Sequence, residues 1–289
     1  MTTRPSIITF SRRTDPAFRM EWFMEALARG ECMVPNPYSG KEYRVGLKPE
    51  EVSLLIFWTR APAAIAPYIP SMIDRGYRSA FFITLTGYPQ WLEPAVPDRN
   101  RVWEGITALH EILGEDSLWW RYDPIILTGR LTASWHIENF TRLCGTAWRG
   151  RTGRVIVSLA HIDGPYASLR GKLARTCVMA GDRLAMPTYD AFIKLALELA
   201  VIAGRHGMEL EVCCSPSIRP EHRSLLRQGG CLAGPFVEKL APSLAGLKQK
   251  GTRRGSEEHG YAPCGCLESR DIGTRRTCRH GCVYCYANR

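Results

Sequence analysis

Three cysteines near the end of the sequence carry the strongest chemical signal. Cys278, Cys282 and Cys285 are spaced C-x3-C-x2-C. Three thiolates at that spacing can wrap one corner of a cubane iron–sulfur cluster and leave its fourth iron open. Ferredoxin-type strings use C-x2-C-x2-C instead. Zinc is the competing reading. Any four of Cys264, Cys266, Cys278, Cys282 and Cys285 could surround a tetrahedral ion. Zinc sites commonly use two C-x2-C knuckles, however, and here only Cys282/Cys285 has that spacing. A [4Fe–4S] cluster on the last three cysteines is therefore expected.

The remaining cysteines divide into two groups. Cys32, Cys144 and Cys177 stand singly and read as small buried hydrophobes. Cys213, Cys214 and Cys231 join Cys264 and Cys266 as candidate ligands of a second cluster. Adjacent residues in a strand face opposite sides, so only one of Cys213 and Cys214 is expected to serve. His280 lies between two ligands. It is expected to face solvent first, to hydrogen-bond a sulfide second and to ligate metal third.

Tyr284 and Tyr286 sharpen the signal, because Cys282-Val283-Tyr284-Cys285-Tyr286-Ala287 resembles the cluster loop of spore photoproduct lyase-like radical SAM proteins. That resemblance implies S-adenosylmethionine on the open iron, with an aromatic such as Tyr284 beside its adenine. The plainer reading is that both tyrosines pack the loop onto the fold. In the resembling proteins the loop comes near the start of the barrel, whereas here it follows nearly everything else.

A second concentration of chemistry lies at the ends of the expected strands. These ends carry Ser11-Arg12-Arg13-Thr14-Asp15, Trp58-Thr59-Arg60, Thr84-Leu85-Thr86-Gly87-Tyr88 and Trp119-Trp120-Arg121-Tyr122-Asp123-Pro124. Ser158, His161 and Asp163 follow, then Cys213-Cys214-Ser215. Arg12, Thr86, Arg121 and Asp123 are the candidate catalytic residues. Arg13 and Trp58 join Tyr284 and Tyr286 as candidate cofactor contacts. Each has a bland alternative: an ion pair for Arg121 and Asp123, core packing for the tryptophans, ordinary strand propensity for the threonines.

The elements that must position these residues alternate. Strands are expected at 6–11, 52–58, 80–86, 118–126, 154–160 and 209–214. Helices are expected at 21–29, 62–75, 101–113, 133–144, 168–179 and 188–206. Asp15-Pro16 offers an N-cap followed by a first-turn proline. The run Val52 to Trp58 is apolar throughout, as a strand buried on both faces is. Repeated βα units imply parallel strands and right-handed crossovers. The fold class is thus α/β, a (β/α) TIM-like barrel, complete or partly open. No G-x-G-x-x-G follows the first strand, which weakens a dinucleotide-binding reading. Residues 1–228 are expected to form the barrel, and 229–289 a cysteine-rich tail folding back on the strand ends.

Composition sets the outer bounds. A chain of 289 residues, 45% hydrophobic, can bury a full core. No apolar run approaches a membrane span, and no signal-like segment opens the sequence, so a cytoplasmic protein is expected. Eleven cysteines in a reducing compartment point to metal or catalysis rather than disulfides. A net charge of +10 suits an anionic partner, although a solvated basic surface gives the same number.

Taken together, Ser11–Asp15, Asn36-Pro37-Tyr38, Phe57-Trp58-Thr59, Thr84–Tyr88, Trp120–Pro124, Cys264-Gly265-Cys266, Asp271-Ile272-Gly273 and Cys285–Asn288 resemble the prokaryotic family known as domain of unknown function 1848. The resemblance spans nearly the whole chain and implies a C-terminal cysteine cluster similar to the radical SAM motif. Three functions follow as expectations. The first is a radical SAM-like enzyme, forming a 5′-deoxyadenosyl radical to act on a polar or anionic substrate such as a nucleic acid or nucleotide. Ferredoxin or flavodoxin would serve as its electron donor. The second is a non-catalytic electron-transfer or redox-sensing iron–sulfur protein. The third is a zinc-stabilised barrel hydrolase, which is poorly served by seven histidines with no His-x-His pair.

Overall fold

The computed structural model describes residues 6–10, 14–36, 39–160, 162, 167–213, 218–232, 234–245 and 266–285. Strand β1 spans Ser6–Phe10 and is followed by helix α1, Met20–Arg29. A hairpin of β2, Glu31–Pro35, and β3, Glu42–Gly46, comes next. The alternation then settles into β4 (Val52–Thr59), α2 (Ile69–Asp74), β5 (Ser79–Thr84), α3 (Arg99–Leu113), β6 (Leu118–Ile125), α4 (Ala133–Gly145) and β7 (Arg154–Leu159). Helices α5 (Ala167–Met179) and α6 (Tyr189–Arg205) lead to β8, Glu209–Cys213. Beyond it lie β9 (Arg227–Gly229), α7 (Gly234–Leu240) and β10 (Arg270–Asp271).

Local chemistry sets the element ends. Side chains of Asp98, Thr132 and Thr188 accept from backbone N–H groups in the first turns of α3, α4 and α6. Gly30 closes α1 in the left-handed conformation, at φ 76°. The Asp15-Pro16 cap serves a short 3-10 turn, Pro16–Phe18, rather than α1 itself.

Eight strands form one sheet in the order β10-β1-β4-β5-β6-β7-β8-β9, and every pairing is parallel. From β1 to β9 the order never reverses direction. That steady progression is compatible with a TIM-like barrel and unlike a doubly wound sheet, whose order turns back on itself. The sheet ends at β9 and β10. The segment after residue 228 therefore contributes to it directly, with β10 pairing with β1 through Ile8–Arg270 and Thr9–Asp271.

The two faces of the sheet bury different cores. Ile8, Phe10, Leu55, Phe57, Phe81, Ile83, Trp120, Tyr122, Val155, Val157 and Val212 pack against the helices. The alternate residues Ile7, Leu54, Ile56, Ala80, Phe82, Trp119, Ile156 and Cys213 face the other way and meet Cys231, Leu232, Val237, Leu244, Cys266 and Leu267. This period-two division explains the continuous apolar runs: both faces are dry. It also separates the neighbouring tryptophans. Trp120 belongs to the helix layer and Trp119 to the opposite core, both buried, in keeping with the core-packing alternative for the tryptophans. No helix among the described residues is long and apolar enough to cross a membrane.

Candidate functional site

The segment Cys278–Cys285 docks against loops at the C-terminal ends of β1, β4 and β5. Backbone bonds hold it: Val283 N–H donates to the Leu92 carbonyl at 3.0 Å, and Ala95 N–H to the His280 carbonyl at 3.1 Å. Thr277 Oγ1 lies 2.6 Å from Thr14 Oγ1.

His280 does not face solvent, contrary to the first-ranked expectation. It is 2% exposed, with Nε2 at 2.8 Å from Asp15 Oδ2 and Nδ1 at 3.2 Å from the Ala95 carbonyl. Asp15 is itself fully engaged. It accepts from Thr59 Oγ1 at 2.8 Å, from Arg60 N–H at 2.7 Å and from Ala17 N–H at 3.0 Å. The first strand end, the β4 end and the cysteine segment thus meet at one carboxylate.

A second knot lies alongside. Glu93 Oε1 accepts from Thr86 Oγ1 at 2.6 Å, from Arg60 Nη1 at 2.8 Å and from the Tyr284 hydroxyl. Arg60 Nη2 also donates to the Tyr284 oxygen, and its guanidinium stands over the Tyr284 ring. Burial works against the Arg60 charge, but Glu93, Tyr284, Cys282 and Asp15 together outweigh it and hold the guanidinium firmly protonated. Burial pushes the Tyr284 phenol well above its ordinary range, with Arg60 opposing. Tyr284 packs as a brace between tail and strand ends.

The three cysteines of the segment influence one another electrostatically. Burial pushes the Cys282 thiol up to about 12, Arg60 opposes this, and Cys285 and Cys278 add to it. Burial also raises the Cys278 thiol, against backbone N–H groups of His280 and Asp15. Cys282 is buried, while Cys278 and Cys285 are partly open. Gly281 makes the turn between Cys278 and Cys282 at φ 69°, a conformation favouring glycine.

Thr86 connects this region to α4. Asn139 Nδ2 donates to the Thr86 carbonyl at 2.7 Å and to the Tyr122 hydroxyl at 3.1 Å. Tyr122 donates to His136 Nδ1 at 2.8 Å, because His136 Nε2 must carry the proton it gives to the Ile126 carbonyl at 3.0 Å. Burial lowers His136 to about 4, so it is neutral.

Deeper in the sheet, Arg121 Nη2 donates to Asp123 Oδ2, and Ser158 Oγ donates to Asp123 Oδ1. The pair is mostly buried, at 19% and 11% side-chain exposure. Trp58 is half-buried and stacks on Phe82, with ring centroids 4.6 Å apart, and Phe82 leans on Trp119 at 4.7 Å. Below them Arg154 pairs with Glu211 and donates to the carbonyls of Gly230 and Cys231.

Three of the remaining candidate cysteines come together inside the sheet. Cys213 Sγ and Cys231 Sγ are 3.5 Å apart, and the Cys266 thiol also hydrogen-bonds to Cys231. Those two bonds set Cys231 well below the ordinary thiol range, against burial and aided by Arg121 and Arg154. Among the described residues there is no group of three or more Cys, His, Asp or Glu side chains that could hold a metal ion as they stand. Arg12, Arg13, Cys214, Cys264 and Tyr286 lie outside the described residues. Cys32, Cys144 and Cys177 are buried singly, as expected; burial pushes Cys32 up to about 11 and Cys144 up to about 12.

Sequence reasoning missed Glu93, which sits in a proline-bounded loop with no periodicity. It also missed Arg60 as a buried partner, although Thr59-Arg60 was visible at a strand end.

The family model for the domain of unknown function DUF1848 matches residues 7–287. The chain belongs to that family. Its match takes in the strand ends, the knots at Asp15 and Glu93 and the whole cysteine segment. No curated protein matches this DUF1848 chain. Among solved structures, a tetrameric deoxyribose phosphate aldolase from Aeropyrum pernix is 13% identical, over 82% of this chain and 80% of that one, with a TM-score of 0.27. A likeness at that level carries no argument.

Proposed function

We propose that this chain is a radical SAM-like iron–sulfur enzyme acting on a polar or anionic substrate. The carrying observation is the docking of the C-x3-C-x2-C segment, through His280 on Asp15 and Tyr284 on Glu93, at the C-terminal ends of parallel strands. In a (β/α) barrel that end is where chemistry is done.

Cys278, Cys282 and Cys285 would hold a [4Fe–4S] cluster. Their donor type suits such a group, although as they stand no group of three among the described residues could hold a metal ion. As thiolates the three repel one another in a partly buried loop, and the positive charge of metal offsets that repulsion. With S-adenosylmethionine bound, the group supplies one-electron, hydrogen-abstracting chemistry that protein side chains lack.

The protein's own contribution is positioning and electrostatics. Asp15 and His280 fix one side of the loop, and Glu93, Arg60 and Tyr284 the other. Arg121, oriented by Asp123 and Ser158, offers a guanidinium to an anionic group of the substrate. Trp58 gives an apolar plane above Phe82, suited to a base or adenine ring. A nucleotide or nucleic acid combines both features, and the net charge of +10 is in keeping with it. A small ferredoxin or flavodoxin would supply the electron.

Anaerobic reconstitution with iron and sulfide counted tests this reading. About four irons per chain are expected on the loop, lost in Cys278→Ser, Cys282→Ser and Cys285→Ser. Iron binding indifferent to these substitutions would overturn it.

A further inference from the structure

We infer that the outer face of α5 is the docking surface for the electron donor, a small acidic protein that covers Val178 and Met179 and pairs its carboxylates with the cations around them. This rests on the cluster proposed above, whose electrons must come from outside the chain.

Helix α5 has two faces with different surroundings. On the inner face, Leu169 and Leu173 belong to the apolar cluster that also holds Cys282, Val283 and Tyr284. The outer face therefore stands one helix diameter, about 10 Å, from the surroundings of the cysteine segment. Single exposed apolar side chains are ordinary, but adjacent ones ringed by charge make a patch that a partner covers. Val178 is 70% exposed and Met179 88%, the two most exposed large hydrophobics among the described residues.

The ring around them is cationic. Lys172, Arg175 and Met179 are exposed and recur at i, i+3 and i+7, so they share the outer face. The helix, Ala167–Met179, contains no Asp or Glu. Just beyond its end, Arg130 Nη2 donates to the Gly181 carbonyl at 3.1 Å, which fixes another guanidinium beside the patch. Arg183 is exposed in the same loop. Asp182 is the sole carboxylate between residues 167 and 186. Its oxygens are taken up within the loop, by Thr128 Oγ1 at 2.6 Å and by the N–H groups of Arg130 at 3.2 Å and Arg183 at 2.7 Å.

An aliphatic centre with a cationic rim complements a protein that presents an apolar contact ringed by carboxylates. Charge attraction over that distance speeds encounter without adding much affinity, which suits a carrier that must arrive, deliver an electron and leave. A nucleic acid fits the patch less well. Single strands are held on exposed aromatic platforms, and the exposed large aromatics among the described residues, Tyr43 and Trp103, lie on β3 and α3.

The test is titration of the full chain with a purified flavodoxin, before and after iron loading, at low and at high salt. Carbodiimide, which joins a carboxylate to a neighbouring lysine, then maps the contact by mass spectrometry. Binding that weakens with salt and a cross-link at Lys172 are expected. The Lys172→Glu, Arg175→Glu double variant should bind about 10-fold more weakly or worse, and Met179→Ser several-fold more weakly. All three side chains are exposed, so the fold should persist. In the loaded chain the double variant should slow cluster reduction by flavodoxin in proportion, while reduction by dithionite stays as in the wild type. Absence of binding, equal binding by the variants or cross-links confined to other faces would overturn the inference. So would a single-stranded oligonucleotide that binds in place of flavodoxin and is lost in the same variants. A chain that binds flavodoxin through α5 but takes no iron would instead sink the cluster and leave the docking surface standing, so the two failures are read separately.

Discussion

His280 Nε2 lies 2.8 Å from Asp15 Oδ2, joining the cysteine segment near the end of the described chain to the loop that follows its first strand. Asp15 holds Thr59 and the Arg60 backbone as well, so one carboxylate registers β1, β4 and the cysteine loop. Replacing His280 with Ala leaves the loop's backbone bonds but frees its hinge. The expected outcome is about 10–100-fold weaker iron retention, measured by chelator competition after reconstitution. Unchanged retention would show that the Asp15–His280 contact does not position the loop.

Glu93 gathers Thr86, Arg60 and Tyr284 on one oxygen. Removing it strands the Arg60 charge at 11% side-chain exposure. Glu93→Ala is therefore expected to cost about 3–5 kcal/mol in urea unfolding. Glu93→Gln should cost less, because its amide oxygen can still accept. Arg60→Met in the Glu93→Ala background should recover part of the loss. No recovery in that double variant would contradict the charge argument.

His136 gives the fold an acid limit. Its ordinary value is 6.5, and burial brings it to about 4 in the fold. Between those values the unfolded chain binds a proton that the folded chain refuses. Stability is thus intact above 6.5 and falls as pH drops towards 4, by about 3 kcal/mol in all. Unfolding titrations of wild type and His136→Gln should differ in slope only within that window. Identical slopes would refute the assignment.

Gly87 has φ of 68°, and a Cβ there would stand 2.7 Å from Asn139 Oδ1. Gly87→Ala should cost about 1–2 kcal/mol from backbone strain alone, with more from displacing Asn139, which bonds the Thr86 carbonyl. Thermal unfolding checks the cost. A neutral substitution would mean that Asn139 can yield without loss.

Much of the framework was legible because it is periodic or capped. The all-apolar run of β4 and the capped α3, α4 and α6 announce themselves locally. Strands β9 and β10, at three and two residues, are too short for periodicity and exist only through pairing with β8 and β1. The hairpin of β2 and β3 went unread: Cys32 and Val34 are buried between more exposed neighbours, but Met33 and Pro35 are apolar too, so no alternation shows in the sequence, and only Asn36, whose Oδ1 receives Ser39 N–H, marks the turn. Within the site, the cysteine spacing was readable because Cys278, Cys282 and Cys285 lie within one short stretch of sequence. Glu93 was not, because its partners Arg60 and Tyr284 are 33 and 191 residues away.

The central claim is that Cys278, Cys282 and Cys285 hold a cluster with an open iron. Electron paramagnetic resonance of the reduced, reconstituted chain, recorded with and without S-adenosylmethionine, addresses it most directly. The account predicts a cubane signal that changes when S-adenosylmethionine is added. A cubane signal indifferent to it would contradict the enzyme reading and leave an electron-transfer protein, and a loop that takes no iron would contradict the cluster itself.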